Sequence, residues 1–396
     1  MRLINLPLAN GELKTPRKAT FAALFALIAA VRAVLVTVLP LEIYAILGDV
    51  QKVSVLYTSV AVVGLAGALL IPALVARLRR RWVFTLGASS AVVAAGLFLN
   101  GGLLELIGGL VLQAFALTAM KVTLNLFLMD YVPRRELSRF EPVRIFVSAG
   151  VWTLAPWSGV FLRTEVAIGA PYVAMATMAA ATLGFFWYLR FTDDPAVGPA
   201  RKRPVNPINH LGRFFGQPRL ALAWGLAVGR AGWWYMFFVY APILVVHLGF
   251  GEERTGMVVS AGMACVFAVP LWGMAARRWG IRKLLFVGYL FSSIATFTVA
   301  TAFGTPWLAI ALLVAAALAT SLIDGAGNVP FFRAVHPFER PEMTSVFTTY
   351  RDFDQLAPPA VFSVLLHVFH LPAVFIAAGV GMGGLALLSR FIPRRL

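Results

Sequence analysis

The chain has 396 residues, 60% of them hydrophobic and 13% charged, with a formal net charge of +17 and a mean hydropathy of +0.82. A soluble domain carries about 25% charged residues, so the composition excludes an ordinary soluble protein. Cys265 is the single cysteine, which excludes a disulfide framework and a cysteine metal site. No Ser/His/Asp spacing or metal cluster points to an enzyme, and no cofactor is expected; His336 falls in a loop and reads as solvated.

Apolar stretches follow one another near residues 20–48, 54–76, 83–103, 106–130, 143–162, 168–190, 219–247, 256–276, 284–303, 307–332, 343–366 and 371–391. Each has about the 20 residues with which a helix crosses about 30 Å of hydrocarbon. Segments of about 10 residues with alternating polarity would indicate a transmembrane barrel; these stretches have neither feature. The first is long, holds Arg32 and lacks a small-residue cleavage site, so it reads as a span and not as a removed signal.

Basic residues cluster in every second gap. Arg2, Lys14, Arg17 and Lys18 precede the first stretch, and Arg77, Arg79, Arg80 and Arg81 follow the second. Arg134, Arg135, Arg139 and Arg144 follow the fourth, and Arg190, Arg201, Lys202, Arg203, Arg213 and Arg219 the sixth. Arg277, Arg278, Arg282 and Lys283 follow the eighth, Arg333 and Arg340 the tenth, and Arg390, Arg394 and Arg395 the last. The other gaps hold only Lys52, Arg163 and Arg254. Positive residues mark cytoplasmic loops, so the pattern predicts an even number of spans with both termini in the cytoplasm. A bacterial inner (plasma) membrane is the expected setting. The charge lies at span ends, where it meets anionic head groups. A lipid bilayer, and no nucleic acid, is therefore the expected partner.

One long polar break, rich in Pro and basic residues, separates six stretches from six (DDPAVGPARKRPVNPINH). It predicts an N-terminal six-helix half over 1–190, a cytoplasmic linker over 191–218 and a C-terminal six-helix half over 219–396. The halves repeat. AVRA around Arg32 matches VGRA around Arg230, and Pro72 matches Pro270 at the same offset of 198. Asn125 matches Asn328 and Glu136 matches Glu339 at 203, and Pro156 matches Pro358 at 202.

Local motifs are specific. PLWGMAARRWGIRK places Gly273, Arg277, Arg278, Gly280, Arg282 and Lys283 at the spacing of a G-x-x-x-D-R-x-G-R-K loop, with Arg277 in place of the Asp. PALVARLRRRW in the first half has Val75 and Arg79 where that loop has Gly and Asp. LMDYVPRREL, with Asp130 and Pro133, looks like an acidic-then-proline exit of span 4, and AVHPFERPEMTSVFTT looks like the same loop in the second half. APWSG (Ala155 to Gly159) in span 5 is similar to the Gly-Pro kink motif of proton-coupled exporters, with Ala155 in place of a Gly. With the six-plus-six repeat, the chain resembles the major facilitator superfamily of secondary transporters. The resemblance implies an all-α polytopic membrane protein of twelve transmembrane helices in two pseudo-symmetric halves. In that fold spans 1, 2, 4, 5, 7, 8, 10 and 11 line a central cavity.

An ionisable residue at mid-membrane costs about 2.5–3.5 kcal/mol on insertion scales and is a functional candidate for that reason. Seven qualify: Arg32, Lys121, Arg230, Asp324, Arg351, Asp352 and Asp354. At about 1.5 Å per residue they fall in one slab near the midplane. All lie in spans that the resemblance assigns to the cavity. Lys121 and Asp324 are repeat-equivalent and opposite in sign. They fit either an ion pair that locks one conformation, or a proton site at Asp324 with Lys121 as partner. Movement between a desolvated setting and one beside a cation changes a carboxylate's proton affinity. Asp352 and Asp354 compete for the proton-coupling role, and Arg351 and Asp354, three apart, are within pairing distance on a helix.

Arg32 and Arg230 are pseudo-symmetric guanidiniums suited to carboxylate or phosphate. They fit a substrate pair facing across the cavity, similar to the paired Arg of organophosphate–phosphate antiporters. They fit equally a structural role, each paired with Asp352 or Asp354 or stacked on an aromatic ring. Trp234 lies four residues from Arg230, within reach of cation–π stacking. Four cations against three carboxylates favour an anionic or zwitterionic substrate. Glu42 and Tyr44 fit an external gate, although Glu42 also suits simple snorkelling to the interface. Kinks at Pro156 and Pro358 would let the halves rock. Arg277, Arg278 and Arg282, with Arg79 and Arg80, would latch the cytoplasmic side.

The expectation is a monomeric, proton-coupled transporter of a small anionic or amphiphilic organic solute, with export favoured by the span 5 motif. A multidrug exporter of lipophilic compounds is the alternative within transport, and a non-transporting scaffold on the same fold is the alternative outside it.

Overall fold

The computed structural model of the protein describes residues 18–131, 134–189 and 207–392. Arg2, Lys14, Arg17, Pro133, Arg190, Arg201, Lys202, Arg203, Arg394 and Arg395 lie outside them. The described residues form helices, turns and no strands. Grouped where breaks are short, the helices make twelve rods in chain order. The first six are Lys18–Ala33 with Val38–Leu47, Val50–Leu78, Arg80–Asn100, Leu103–Tyr131, Arg134–Phe161 with a π-turn at Leu162–Val166, and Ala170–Tyr188. The last six are Pro218–His247, Glu252–Trp279, Ile281–Thr301, Pro306–Ala334, Arg340–Val368 and Pro372–Ser389. We number these rods as spans 1 to 12. Spans 1 and 12 leave the described chain at the same end of the bundle, here the proximal end; the other end is distal.

Ten of the rods are long and apolar enough to cross a membrane. The two that fall short are spans 7 and 11. Span 7 holds Arg230 among Trp and Tyr side chains, and span 11 holds Arg351, Asp352, Asp354 and two prolines. Span 7 keeps many of its positions inside the bundle, from Leu220 to Val245. Elsewhere the outward faces are apolar, with Leu69, Leu104, Leu154, Phe291 and Val364 exposed, as a lipid-facing surface requires. The structure is thus an all-helical membrane protein of the expected class.

Chain breaks follow from prolines that cannot donate to the fourth residue before them. Span 1 opens over 34–37 ahead of Pro40, span 8 narrows to a 3₁₀ turn at Cys265–Ala268 ahead of Pro270, and span 10 breaks at Gly327 and Asn328 ahead of Pro330. The kinks expected at Pro156 and Pro358 are not chain breaks: Arg134–Phe161 and Tyr350–Val368 run helically through them. The break in span 1 meets a close crossing. A Cβ on Gly159 would stand 1.8 Å from the Val34 carbonyl oxygen, so only glycine lets span 5 approach span 1 there.

Residues 207–217, expected to belong to the linker, are not open chain. Pro207–His210 and Leu211–Phe215 form short helices, and Phe214 is buried with Leu220, Phe331, Met343 and Phe347. Arg213 pairs with Glu339, and Gln217 donates to the same carboxylate at 3.2 Å. The Gln217 hydrogen bond and the Arg213 cation hold the Glu339 carboxyl below its usual range. This contact ties the segment to the loop between spans 10 and 11.

The repeat leaves one backbone penalty in view. Gly280 turns the corner between spans 8 and 9 with φ 83° and ψ 149°, and Arg79 turns the matching corner between spans 2 and 3 with φ 62° and ψ 153°. That region is nearly reserved for glycine and costs about 1–3 kcal/mol elsewhere. Arg79→Gly is therefore expected to raise the melting temperature in detergent, and Gly280→Arg to lower it. An unchanged or lowered Tm in Arg79→Gly would show that the Arg79 side chain contributes more than its backbone costs.

Candidate functional site: a charged cavity between the two sets of spans

Spans 1, 2 and 4 on one side and spans 7 and 11 on the other enclose a cavity of about 180 Å³. Its charged lining is Arg32, Lys121 and Asp352, and its uncharged polar lining includes Tyr57, Gln113, Thr118, Tyr235 and Gln355. Apolar side chains such as Leu35, Leu117 and Phe238 fill the space between. The helix breaks position part of this wall, since Arg32 sits in the last turn before the opening at 34–37. Arg32 carries its guanidinium over the Trp152 ring at 5.8 Å. Asp354 lies within electrostatic reach of Arg32, Arg351 and Lys121, and its Oδ1 is buried without a hydrogen-bond partner.

Arg230 and Asp324 form a separate cluster inside the last six rods. The Arg230 Nε stands 3.3 Å from the Asp324 Oδ1, with the side chains 11% and 23% exposed. Trp234 donates its indole N–H to Asp324 Oδ2 at 3.0 Å, and Arg230 donates to Asn328 Oδ1 at 3.2 Å. Asn328 follows the positive-φ Gly327 at the break in span 10. The break therefore turns a side-chain amide toward the arginine.

These positions correct four expectations. Asp324 does not pair with Lys121; span 7 supplies a closer cation, Arg230, from its own set of rods. Arg230 does not face Arg32 across the cavity, because its charge is committed to Asp324 and Asn328. Trp234 does not stack on Arg230; its N–H is spent on the same carboxylate. Arg351 donates to the Tyr350 hydroxyl at 3.2 Å and lies over that ring, instead of pairing with Asp354. The seven mid-membrane charges thus divide into a closed pair and an open set.

The two sets of rods are joined near the distal end. Between described residues four hydrogen bonds cross from one set to the other: Ser54 with Tyr240 at 2.7 Å, Gln51 with His367 at 3.3 Å, Trp157 N–H to Ser260 at 3.0 Å, and Arg163 to Glu252 at 3.2 Å. Arg163 also binds Glu42 at 2.5 Å, so one guanidinium links spans 1, 5 and 8. At the proximal end Arg79, Arg277 and Arg278 are exposed, while Arg80 and Arg282 are half-buried. Arg277, Arg278 and Arg282 make no ion pair among the described residues. Sequence reasoning treated Arg163 only as a topology marker and missed its role as a distal tie. Its isolation among the weakly basic gaps was the available signal.

Residues 21–353 match the family model of the Major Facilitator Superfamily. The chain belongs to this superfamily. It is 26% identical over 178 residues to the MFS-type transporter ucsD of Acremonium sp, a stretch that covers 43% of this chain and 30% of that protein. The nucleoside transporter NupG superposes with a TM-score of 0.73 at 14% identity, covering 94% of this chain and 98% of its own. The D-xylose-proton symporter gives 0.71 at 14% identity over 95% and 97%. A POT family transporter in complex with 5-aminolevulinic acid gives 0.70 at 13% identity over 93% and 94%. At these identities the structural matches speak for the fold. As a member of the superfamily the protein is a membrane transporter and not an enzyme.

Proposed function

We propose that this superfamily member is a proton-coupled secondary transporter of a small anionic or amphiphilic organic solute, working by alternating access between two six-helix halves (1–190 and 219–396). The reading rests on the central cavity, where Arg32 and Lys121 share one wall and neither is held by an ion pair among the described residues. Two cations without an ion-pair partner cost free energy in a membrane interior, which Asp354 nearby only partly offsets, and an anionic group on the solute offsets more of that cost. Asp324, held by Arg230 and Trp234, and the carboxylates Asp352 and Asp354 are the groups we assign to proton coupling. Arg230 and Trp234 then act through Asp324 and not on the solute. Proximal arginines Arg79, Arg80, Arg277, Arg278 and Arg282 would latch the opposite face once the distal ties open. With the termini in the cytoplasm of a plasma membrane, the distal end, where the two sets of rods are tied, would face outward. Export is the direction we assign, from the Ala155–Gly159 motif.

A cavity of about 180 Å³ is small beside the ~300–1,000 Å³ of sites for drug-sized ligands, which disfavours the multidrug alternative. The test is proton flux in proteoliposomes carrying a pH gradient, challenged with organic carboxylates, organic phosphates and lipophilic cations. Anions should release protons across the membrane, and Arg32→Gln or Lys121→Gln should slow this by about tenfold, the loss of about 1.4 kcal/mol of binding. Flux driven by lipophilic cations and indifferent to both variants would sink the proposal. Silence toward every class would favour the scaffold reading.

A further inference from the structure

The charges in the central cavity are of both signs, and they come from different sets of spans. Arg32 and Lys121 belong to spans 1 and 4, and Asp352 belongs to span 11 of the other set. Among the described residues none of the three makes an ion pair, and the charges of Arg32 and Lys121 repel each other. Asp354, two residues on from Asp352, lies within electrostatic reach of Arg32 and Lys121 without a direct ion pair, and keeps one oxygen buried without a hydrogen-bond partner. Arg32, Lys121 and Asp352 thus line one cavity without a direct ion pair between them.

A solute with only a negative group would satisfy Arg32 and Lys121 but bring its charge toward Asp352. A solute with only a positive group would meet the reverse conflict. Unpaired charges in a poorly hydrated site are costly, and repulsive contacts set specificity as much as attractive ones do. A molecule carrying both signs removes both conflicts. Its body would lie along Leu35, Leu117, Tyr57, Tyr235 and Phe238, which line the same cavity. The small volume limits that body to a compact one.

We propose that the cavity recognises a compact zwitterion, an amino carboxylate, with its carboxylate on Arg32 and Lys121 and its ammonium group on Asp352. The proposal deepens the anion reading above and rests on it. It also gives the solute a mechanical part. A ligand held at one end by spans 1 and 4 and at the other by span 11 draws the two sets of rods together. A simple anion would engage one set alone.

The experiment is a thermal-shift and calorimetric titration of the full-length protein in detergent. The probes are amino carboxylates from glycine to 6-aminohexanoate and phenylalanine, each beside its matched amine and its matched carboxylic acid. We expect at least one amino carboxylate to bind about tenfold more tightly than either matched compound. Lys121→Gln and Asp352→Asn should each remove that advantage, and Lys121→Arg and Asp352→Glu should restore it, which separates loss of recognition from loss of folding. If the matched acids bind as well as the zwitterions and Asp352→Asn tightens them, the zwitterion inference is overturned while the anion reading stands. If only the amines bind, both fail. Absence of binding by every amino carboxylate in wild-type protein that melts cooperatively also overturns the inference.

Discussion

Arg230→Met should lower stability in detergent by about 3–5 kcal/mol, the usual result of leaving a buried charge without its partner. The Asp324 carboxylate would lose the guanidinium 3.3 Å away and keep the Trp234 indole as its remaining described donor. Asn328 would lose the donor to its side-chain oxygen. Asp324→Leu alone should be damaging for the complementary reason, stranding Arg230. The double variant Arg230→Met/Asp324→Leu should recover most of the loss, because a buried pair exchanged for apolar residues of similar size is often neutral. Thermal melting of the four proteins completes the cycle, and the difference between the single and double losses measures coupling directly. Transport by the double variant decides the role of the pair. A well-folded double variant that still moves protons with solute would remove Asp324 from the coupling site and leave Asp352 and Asp354. A folded but uncoupled one would support Asp324.

The class of fold was legible in the chain because the bilayer leaves few options. About 20 apolar residues per crossing, repeated, with basic residues in alternate gaps, admits only a helical bundle. The repeat offset tied Arg32 to Arg230 and Lys121 to Asp324, and the structure puts all four on inward positions. Their partners were not legible. Pairing in the slab depends on helix rotation and on which neighbouring rod is nearest, and neither follows from depth along a span. Arg230 and Asp324 meet because spans 7 and 10 pack in one set and because span 10 breaks at Gly327, a residue that the sequence presents as one glycine among 34. The prolines were legible as kink sites, but which of them open the backbone was not: the openings fall ahead of Pro40, Pro270 and Pro330, while the helices run on through Pro156 and Pro358. The close crossing at Gly159 and the folded end of the linker around Phe214 are likewise properties of packing.

Loosening the distal ties should expose the cavity from the distal side. Arg163 is the one guanidinium that reaches both Glu42 and Glu252, with side-chain exposures of 11%, 16% and 41%. Its partial burial makes the contact stronger than a solvated surface pair. Beside it, Gly256 of span 8 packs on span 5 so tightly that a Cβ would stand 2.9 Å from the Val160 Cβ and 3.0 Å from the Pro156 carbonyl oxygen. Arg163→Gln removes the tie, and Gly256→Leu forces the same two rods apart by volume alone. The reporter is Val36→Cys, which lines the cavity, in a Cys265→Ala background that removes the native thiol. Both changes should raise its reaction rate with a membrane-impermeant thiol reagent, supplied on the distal side of the bilayer, by about tenfold, a population shift of about 1.4 kcal/mol. Arg213→Gln should leave the rate unchanged, since the contacts of Arg213 with Glu339 and Glu342 stay at the proximal end and within the last six rods. An unaltered rate in both distal variants would mean that Ser54–Tyr240 and the apolar contacts between spans 2 and 11 close the distal end without help from span 5. A rise in Gly256→Leu alone would assign closure to helix packing and leave Arg163 a peripheral role.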